Sequence, residues 1–305
     1  MEKFIYLILA HKNPKQLYRL IHKLNDECSH FYVHLDKKTN IDSFSKLIDL
    51  NNVNFIKERI ECIWGDISLV FASLNLIEAA LKNHAMGMCI LLSGQDYPIK
   101  DKEKIQMYLE RNINKTFIDN RIASELWDSF KKRSEYYRFN ISSKKGDFVL
   151  LKGLNKKSVY HLLKRNITFF DFLRIQKKRK LNIDMEFCGG SQWWAMNINM
   201  LNKIYTFVND NKSNLFKYFQ HSHCSDEFFF HSIINHLSKV DTSIKIEKSI
   251  CYANWSRKKA NERPVTFRTE DLDELFRQPD YKLFARKFDI EMDEKILDLI
   301  DELIH

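Results

Sequence analysis

A step repeated through the first hundred residues limits the folds open to this chain. An apolar run is followed by a helix start, and then by another apolar run. Phe4–Ala10 reads FIYLILA, seven residues without a charge. A run this short suits a strand buried on both faces, the parallel-sheet kind. Asn13-Pro14 then reads as an N-cap followed by proline at the first helical position. Leu17, Leu20, Ile21 and Leu24 line one face of that helix. "HFYVHL" (30–35) is a second strand ending at Asp36, a weak helix covers 42–50, and "VNFI" is a short strand. Asp66 caps a helix whose Ile67, Val70, Leu74, Ile77 and Leu81 recur at helical spacing. "GMCILLS" (87–93) is another buried strand and runs into "GQDYP". This alternation predicts an α/β fold with a mainly parallel central sheet flanked by helices.

The rest of the chain is less regular. Residues 120–185 are charged and aromatic and predict helices with an irregular excursion. "FCGGSQWWAMNI" (187–198) reads as one strand, in which alternation sends one of Trp193 and Trp194 to the core and the other toward the cleft, with both rings in the core as the alternative. Helices are expected over 199–210, 213–220 and 225–237, and a strand over 244–251. Met292, Ile296, Leu299, Ile300 and Leu303 share a final helical face. Only seven Gly and four Pro occur in 305 residues, so a Gly- or Pro-rich linker is not expected. No run approaches the roughly 20 apolar residues of a membrane-spanning helix, and no small-residue cleavage site follows the first apolar run.

The net charge of +9 fits an anionic ligand, a membrane surface or nucleic acid. The basic runs "KKR" (131–133), "KKRK" (177–180) and "RKK" (257–259) are scattered and read as solvated faces, and no nucleic-acid-binding motif accompanies them. None of the six Cys forms a CxxC pair, which points to free thiols in a reducing compartment.

Ligands of open α/β sheets sit at the carboxyl ends of strands. His11, Asp36 and Asp96 stand at three such ends and predict one cleft. A second candidate is "HSHCSDEFFFHSIINH" (221–236), with four His, one Cys, one Asp and one Glu. Ser225 is placed as the cap of a helix, with Phe229, Phe230, Ile233, Ile234 and Leu237 on its apolar face. Asp226 then lies in the first turn, where free N–H groups can satisfy it, and His231 lies within pairing reach of Glu227. His231 and His236 diverge by about 140° on a helix, so they do not share a metal ion. Glu227, at the edge of an apolar wall, suits a base that takes a proton from a hydroxyl. An acidic first turn favoured by the helix dipole remains the alternative.

Several stretches together resemble the core-2/I-branching β-1,6-N-acetylglucosaminyltransferases and peptide O-xylosyltransferases, glycosyltransferase family 14. They are "ILAHKNPKQLYRLI", "HFYVHLDKK", "IWGDISLVFASLNLIEAAL", "ILLSGQDYPIK", "GGSQWWAM", "SDEFFFHSII", "VTFR" and "FARKFD", in the family's order. The resemblance implies a GT-A-type nucleotide-sugar fold in one domain, 1–305, with a nucleotide-binding half (1–120) and an acceptor-binding and catalytic half (121–305). It implies inverting transfer without a cofactor or metal, from a UDP-sugar donor to a glycan, lipid-linked glycan or glycoprotein acceptor. N-acetylglucosamine is the first expectation for the sugar and xylose the second. Glu227 matches the family's catalytic base. Arg268 in "VTFR" and Lys287 in "ARKFD" match the basic pair on the donor diphosphate. Ala10, His11, Asp36, Trp64 and Asp96 fall in the donor-side segments, and Trp194, Asp226 and Trp255 on the acceptor side. The one DxD, Asp271-Leu272-Asp273, reads as a helix start.

The eukaryotic members are Golgi proteins with an anchor, a stem and disulfides. This chain resembles a compact bacterial member without them, expected in the cytoplasm, its basic surface available to the inner membrane face. Two other classes compete: a non-catalytic glycan or nucleotide-sugar binder of the same fold, and a nucleic-acid binder motivated by charge alone. The presence of Glu227, Arg268 and Lys287 together weighs against the first, and the missing basic–aromatic motif against the second.

Overall fold

The computed structural model describes residues 3–256 and 264–304. The apolar runs become β1 (Phe4–Ala10), β2 (Ser29–Leu35), β3 (Val53–Phe55) and β4 (Met88–Ser93). β5 (Asp96–Pro98), β6 (Lys115–Phe117) and the two-residue β7 (Arg121–Ile122) follow. β8 (Tyr137–Asn140) and β9 (Phe148–Leu151) form a hairpin. β10 (Cys188–Gly189), β11 (Ala195–Asn197), β12 (Lys245–Glu247), β13 (Cys251–Ala253) and β14 (Phe284–Arg286) complete the strands.

A seven-stranded sheet runs in the order β12-β6-β11-β4-β1-β2-β3. β1 is parallel to both β2 and β4, and β2 to β3. β11 is antiparallel to its neighbours β4 and β6. The fold is thus α/β with a mostly parallel sheet, as the alternation predicts. Residues on both sides of position 120 supply its strands. Helix Ser68–Asn83 packs on β1 and β2 and against helix Ile198–Asp210. Arg19, on helix Pro14–Leu24, pairs with Asp298 and Asp301 and so ties down the last helix, Lys295–Leu303.

Several local expectations change. Asn13 precedes Pro14 but adopts a left-handed φ of 57°, and its side chain binds Asp289 at 2.8 Å instead of capping. The 187–198 strand splits, since β10 pairs with β7 while β11 joins the central sheet. Both tryptophans are buried, with Trp194 only 1% exposed and edge-on to Phe230. The 244–251 strand also splits between sheets, because β13 joins β14 and β5. On the last helix Ile296, Leu297 and Ile300 are buried while Leu303 is exposed.

A second, smaller apolar cluster lies apart from the sheet. Tyr137, Phe139, Val149, Leu151, Ile167 and Ile175 form it, between the β8–β9 hairpin and helices Lys156–Leu163 and Phe169–Arg174. This unit is the irregular excursion of the sequence.

Candidate active site

The ends of β1 and β2 are fastened together. The Asp36 amide donates to Ala10 O at 2.8 Å, and Thr39 Oγ1 donates to His11 O at 2.8 Å. Ala10 is buried and contributes its backbone and shape. Asp36 accepts from the amides of Lys38 (2.9 Å) and Cys62 (3.2 Å), so its carboxylate braces the loop after β3. His34 Nε2 accepts from the Ile60 amide at 2.8 Å, and burial lowers its pKa to about 4, which keeps it neutral. Asp96 does not line this cleft. It is fully buried beneath β14, where Arg286 approaches it at 3.2 Å and burial raises its carboxyl to about 6. Arg286 in turn lies over the Trp193 ring at 4.2 Å. Asp96 therefore supports the strand that leads into Lys287.

That strand carries the chain back across the end of β1. Phe288 O accepts from Gln16 (3.0 Å) and Gln95 (3.2 Å), and Asp289 pairs with Lys12. The Phe267 amide donates to Lys287 O at 2.9 Å, which sets Arg268 one residue from that pairing and brings the two cationic segments side by side. Asp271 Oδ2 accepts from the Arg268 amide at 2.9 Å, and Asp273 is exposed beside Arg277 at 3.6 Å. The DxD is thus used at a helix start. Among the described residues no three His, Cys, Asp or Glu side chains converge as a metal-holding group.

The 221–236 segment departs from one continuous helix. Ser225–Glu227 is a 3-10 turn, Phe228 interrupts, and the α-helix runs Phe229–Val240. Cys224 enters the turn at a left-handed φ of 55°. Ser225 is not a cap, because its hydroxyl donates to Phe219 O at 3.0 Å. His231 does not reach Glu227; it is buried, with Nε2 3.0 Å from Ser191 O. The amide of Asp226 itself is the one first-turn amide that reaches the Asp226 carboxylate among the described residues. Its Oδ1 is buried without a hydrogen-bond partner among the described residues, and burial, with Glu227 beside it, raises its carboxyl to about 7.

The partner of Glu227 is Arg133, which pairs with Oε2 and lies 4.1 Å over the Trp127 ring. Oε1 has no partner among the described residues, and the Glu227 side chain is 25% exposed. Trp127 also explains the glycine pair: a Cβ on Gly189 would stand 2.4 Å from that ring, and one on Gly190 2.4 Å from Asp119 O. The Gly190 amide donates to Glu227 O at 3.0 Å, which fixes the backbone of Glu227.

Arg138, buried on β8, joins this turn to the Trp64-Gly65 segment. Its guanidinium donates to Trp64 O (2.8 Å) and Gly65 O, meets His223 Nδ1 at 2.9 Å and lies 4.2 Å over Phe148. Gly65 adopts a φ of +68°, and its carbonyl also accepts from the Cys224 amide at 2.8 Å. Trp64 and Trp255 present exposed rings, at 46% and 53%. Trp194 is in the core against Phe230 and presents no ring to the surface.

A model of the Core-2/I-Branching enzyme family matches residues 4–278. The chain belongs to that family. Xylosyltransferase oxt of Drosophila melanogaster is 24% identical over 98% of this chain and 33% of its own length. Xylosyltransferase 2 of Homo sapiens is 21% identical over the same shares, and xylosyltransferase 1 of Rattus norvegicus 20% over 99% of this chain and 35% of its own. The chain thus spans about a third of the length of these curated relatives. The family is one of glycosyltransferases, which agrees with the α/β sheet and the motif order.

Two basic runs read as solvated faces hold a half-buried and a buried arginine instead. Arg133, of the 131–133 run, is the Glu227 partner. Arg179, of the 177–180 run, is buried, donates to Tyr136 O (2.7 Å) and Ser222 Oγ (2.6 Å), and lies 4.4 Å over Tyr218. The 257–259 run lies outside the described residues. Arg133 lies within an aromatic-rich stretch, Trp127 to Tyr137, and Arg138 directly follows it; nothing else in the sequence marks them.

Proposed function

We propose that the chain catalyses an inverting transfer of N-acetylglucosamine from a UDP-sugar to a hydroxyl of a glycan, lipid-linked glycan or glycoprotein, without a metal cofactor. The observation that carries this reading is the Glu227 carboxylate, clamped at Oε2 by Arg133 and open at Oε1. A base held in one direction at the edge of an apolar wall is suited to a single hydroxyl. Glu227 takes the acceptor proton as the acceptor oxygen bonds to the anomeric carbon. The bond from that carbon to the diphosphate breaks, and negative charge passes to UDP. Arg268 and Lys287, on adjoining segments at the strand ends, meet that charge as two fixed cations. The DxD, bound up in a helix start, is not a competing holder of the diphosphate. His11, Asp36 and Trp64 supply the nucleoside side of the cleft. Trp255 offers a ring to the acceptor sugar, and Asp226 stands next to the base.

A second reading takes UDP-xylose as the donor. The printed names of the xylosyltransferase relatives favour it.

The test is UDP release from both donors with EDTA present. Glu227→Gln should lower transfer by about 10²–10⁴-fold while UDP still binds. Normal transfer by that variant removes Glu227 from the mechanism. Arg268→Ala and Lys287→Ala should each weaken UDP binding by about tenfold. Turnover that EDTA abolishes and Mn²⁺ restores would sink the metal-free mechanism.

A further inference from the structure

The β8–β9 unit has an outer face that its own core does not use. Leu162 and Phe172 point into the small cluster. Nearby on the same helices, Leu163 and Phe170 are 78% and 77% exposed, and Phe169 and Tyr160 are also exposed. Tyr160 and Leu163 lie three apart on one helix, and Phe170 and Leu173 three apart on the next, so each pair shares a face. Large apolar side chains gathered in this way mark an interaction surface.

The charge of the same stretch is one-sided. Residues 154–180 contain nine Lys and Arg against Asp171 alone, so this segment holds +8 of the chain's +9. Arg174, Lys177, Lys178, Lys180 and Lys217 line a groove of about 640 Å³ between the second helix and helix Lys212–Phe219. Asp171 is already engaged, by Arg174 at 2.7 Å and by the Thr168 cap. It therefore does little to offset the basic groove.

We propose that this unit is an interfacial anchor for an anionic lipid bilayer, with Leu163, Phe169 and Phe170 entering the acyl boundary and the basic groove receiving lipid phosphates. Apolar side chains with a cationic rim are what such a surface requires, since burial of hydrocarbon and attraction to anionic headgroups add. A soluble polyanion would use the groove and leave Leu163 and Phe169, which lie outside it, in water. A protein partner would need an apolar patch ringed by many acids, whereas a bilayer offers both in one plane. The anchor is peripheral: no helix among the described residues is long and apolar enough to cross a membrane. Arg138, on β8 of the same unit, reaches the Trp64-Gly65 turn through its guanidinium.

The experiment is co-sedimentation of the full chain with phosphatidylcholine vesicles, with and without phosphatidylglycerol, at low and high salt. The chain should pellet with the anionic vesicles at low salt, less so at high salt, and stay in solution with the neutral ones. Leu163→Ser/Phe170→Ser and Lys177→Glu/Lys178→Glu should each weaken binding by about tenfold or more. Both pairs sit on the surface, and unchanged thermal melts verify that the variants fold. No binding to anionic vesicles at low salt overturns the proposal. So does binding that Leu163→Ser/Phe170→Ser leaves unchanged, because charge alone then explains it. A sulfated polysaccharide that binds only through Lys177 and Lys178, with vesicles ignored, assigns the groove to an acidic glycan instead.

Discussion

Strands β1, β2 and β4 bury nearly every side chain on both faces, whereas the β8–β9 hairpin and its two helices bury six apolar residues and leave Leu163, Phe169 and Phe170 in solvent. The sheet has helices on both sides, so each strand residue finds a neighbour. The hairpin unit is one thin layer and has no cover for its outer face. The two regions also meet differently from how each is built inside. Their seam is polar and aromatic: Arg138 on two carbonyls, Asn140 on Asp66 at 2.9 Å, and Phe148 stacked on His223 at 4.7 Å. The lesson is a division of labour. The sheet presents the strand ends at which the proposed donor would sit, while a smaller unit is docked on it through directional bonds at the Trp64-Gly65 turn.

Truncation at the two cores tests that division most severely. Phe31→Ala, in the sheet and stacked on Tyr6 at 5.0 Å, should cost about 3–5 kcal/mol and lower the melting temperature of the whole chain. Leu151→Ala, in the small cluster, should cost about 2 kcal/mol and raise amide exchange within 137–175 alone. Equal loss of global stability in both variants would show that the two regions unfold as one and would break the comparison.

The seam comes next. Arg138→Met keeps the stem but leaves Trp64 O and Gly65 O without their cation, a loss of about 2 kcal/mol. Amide exchange should rise at 62–66 and through β8, and donor binding should weaken, while exchange in β1 and β4 stays as it was. Unchanged exchange at 62–66 would mean that Arg138 does not hold the two regions together.

Asp226 tests the turn itself, and the sign of its effect is set by its surroundings. Burial raises its carboxyl from an ordinary 3.8 to about 7, so the folded chain keeps a proton that the unfolded chain releases. The stability tied to this group is full below pH 3.8 and falls as pH rises towards 7. Asp226→Asn copies the neutral form. Its melting temperature should exceed that of the parent by about 2 °C or more above neutrality, and the gap should close on acidification. A gap that persists at low pH would trace the gain to something other than the buried charge.

Much of the donor side was legible in the sequence. Apolar runs and helical spacing locate β1, β2 and β4 and helices Pro14–Leu24 and Ser68–Asn83, because burial on both faces or on one stripe is written residue by residue. The turn around Glu227 was less legible. A helix from 225 to 237 satisfies the periodicity, yet Cys224 in its left-handed conformation and the break at Phe228 wind the first residues into a separate turn. That change released His231 to Ser191 and left Glu227 for Arg133. Trp194 illustrates the same limit, since alternation across 187–198 assumes one continuous strand, and the Gly189-Gly190 close packing divides it.

By itself, then, the sequence determined the α/β alternation, the order of motifs that marks the Core-2/I-branching family, and the candidacy of Glu227, Arg268 and Lys287. Tertiary structure decided which of the 49 Lys and Arg leave the solvent. Arg133 lies 94 residues from Glu227, and Arg138 73 residues from Gly65. A cation can be buried only where carboxylates, carbonyls or rings from distant segments surround it. Local spacing carries no record of such partners, so only the folded chain places these two arginines at the site.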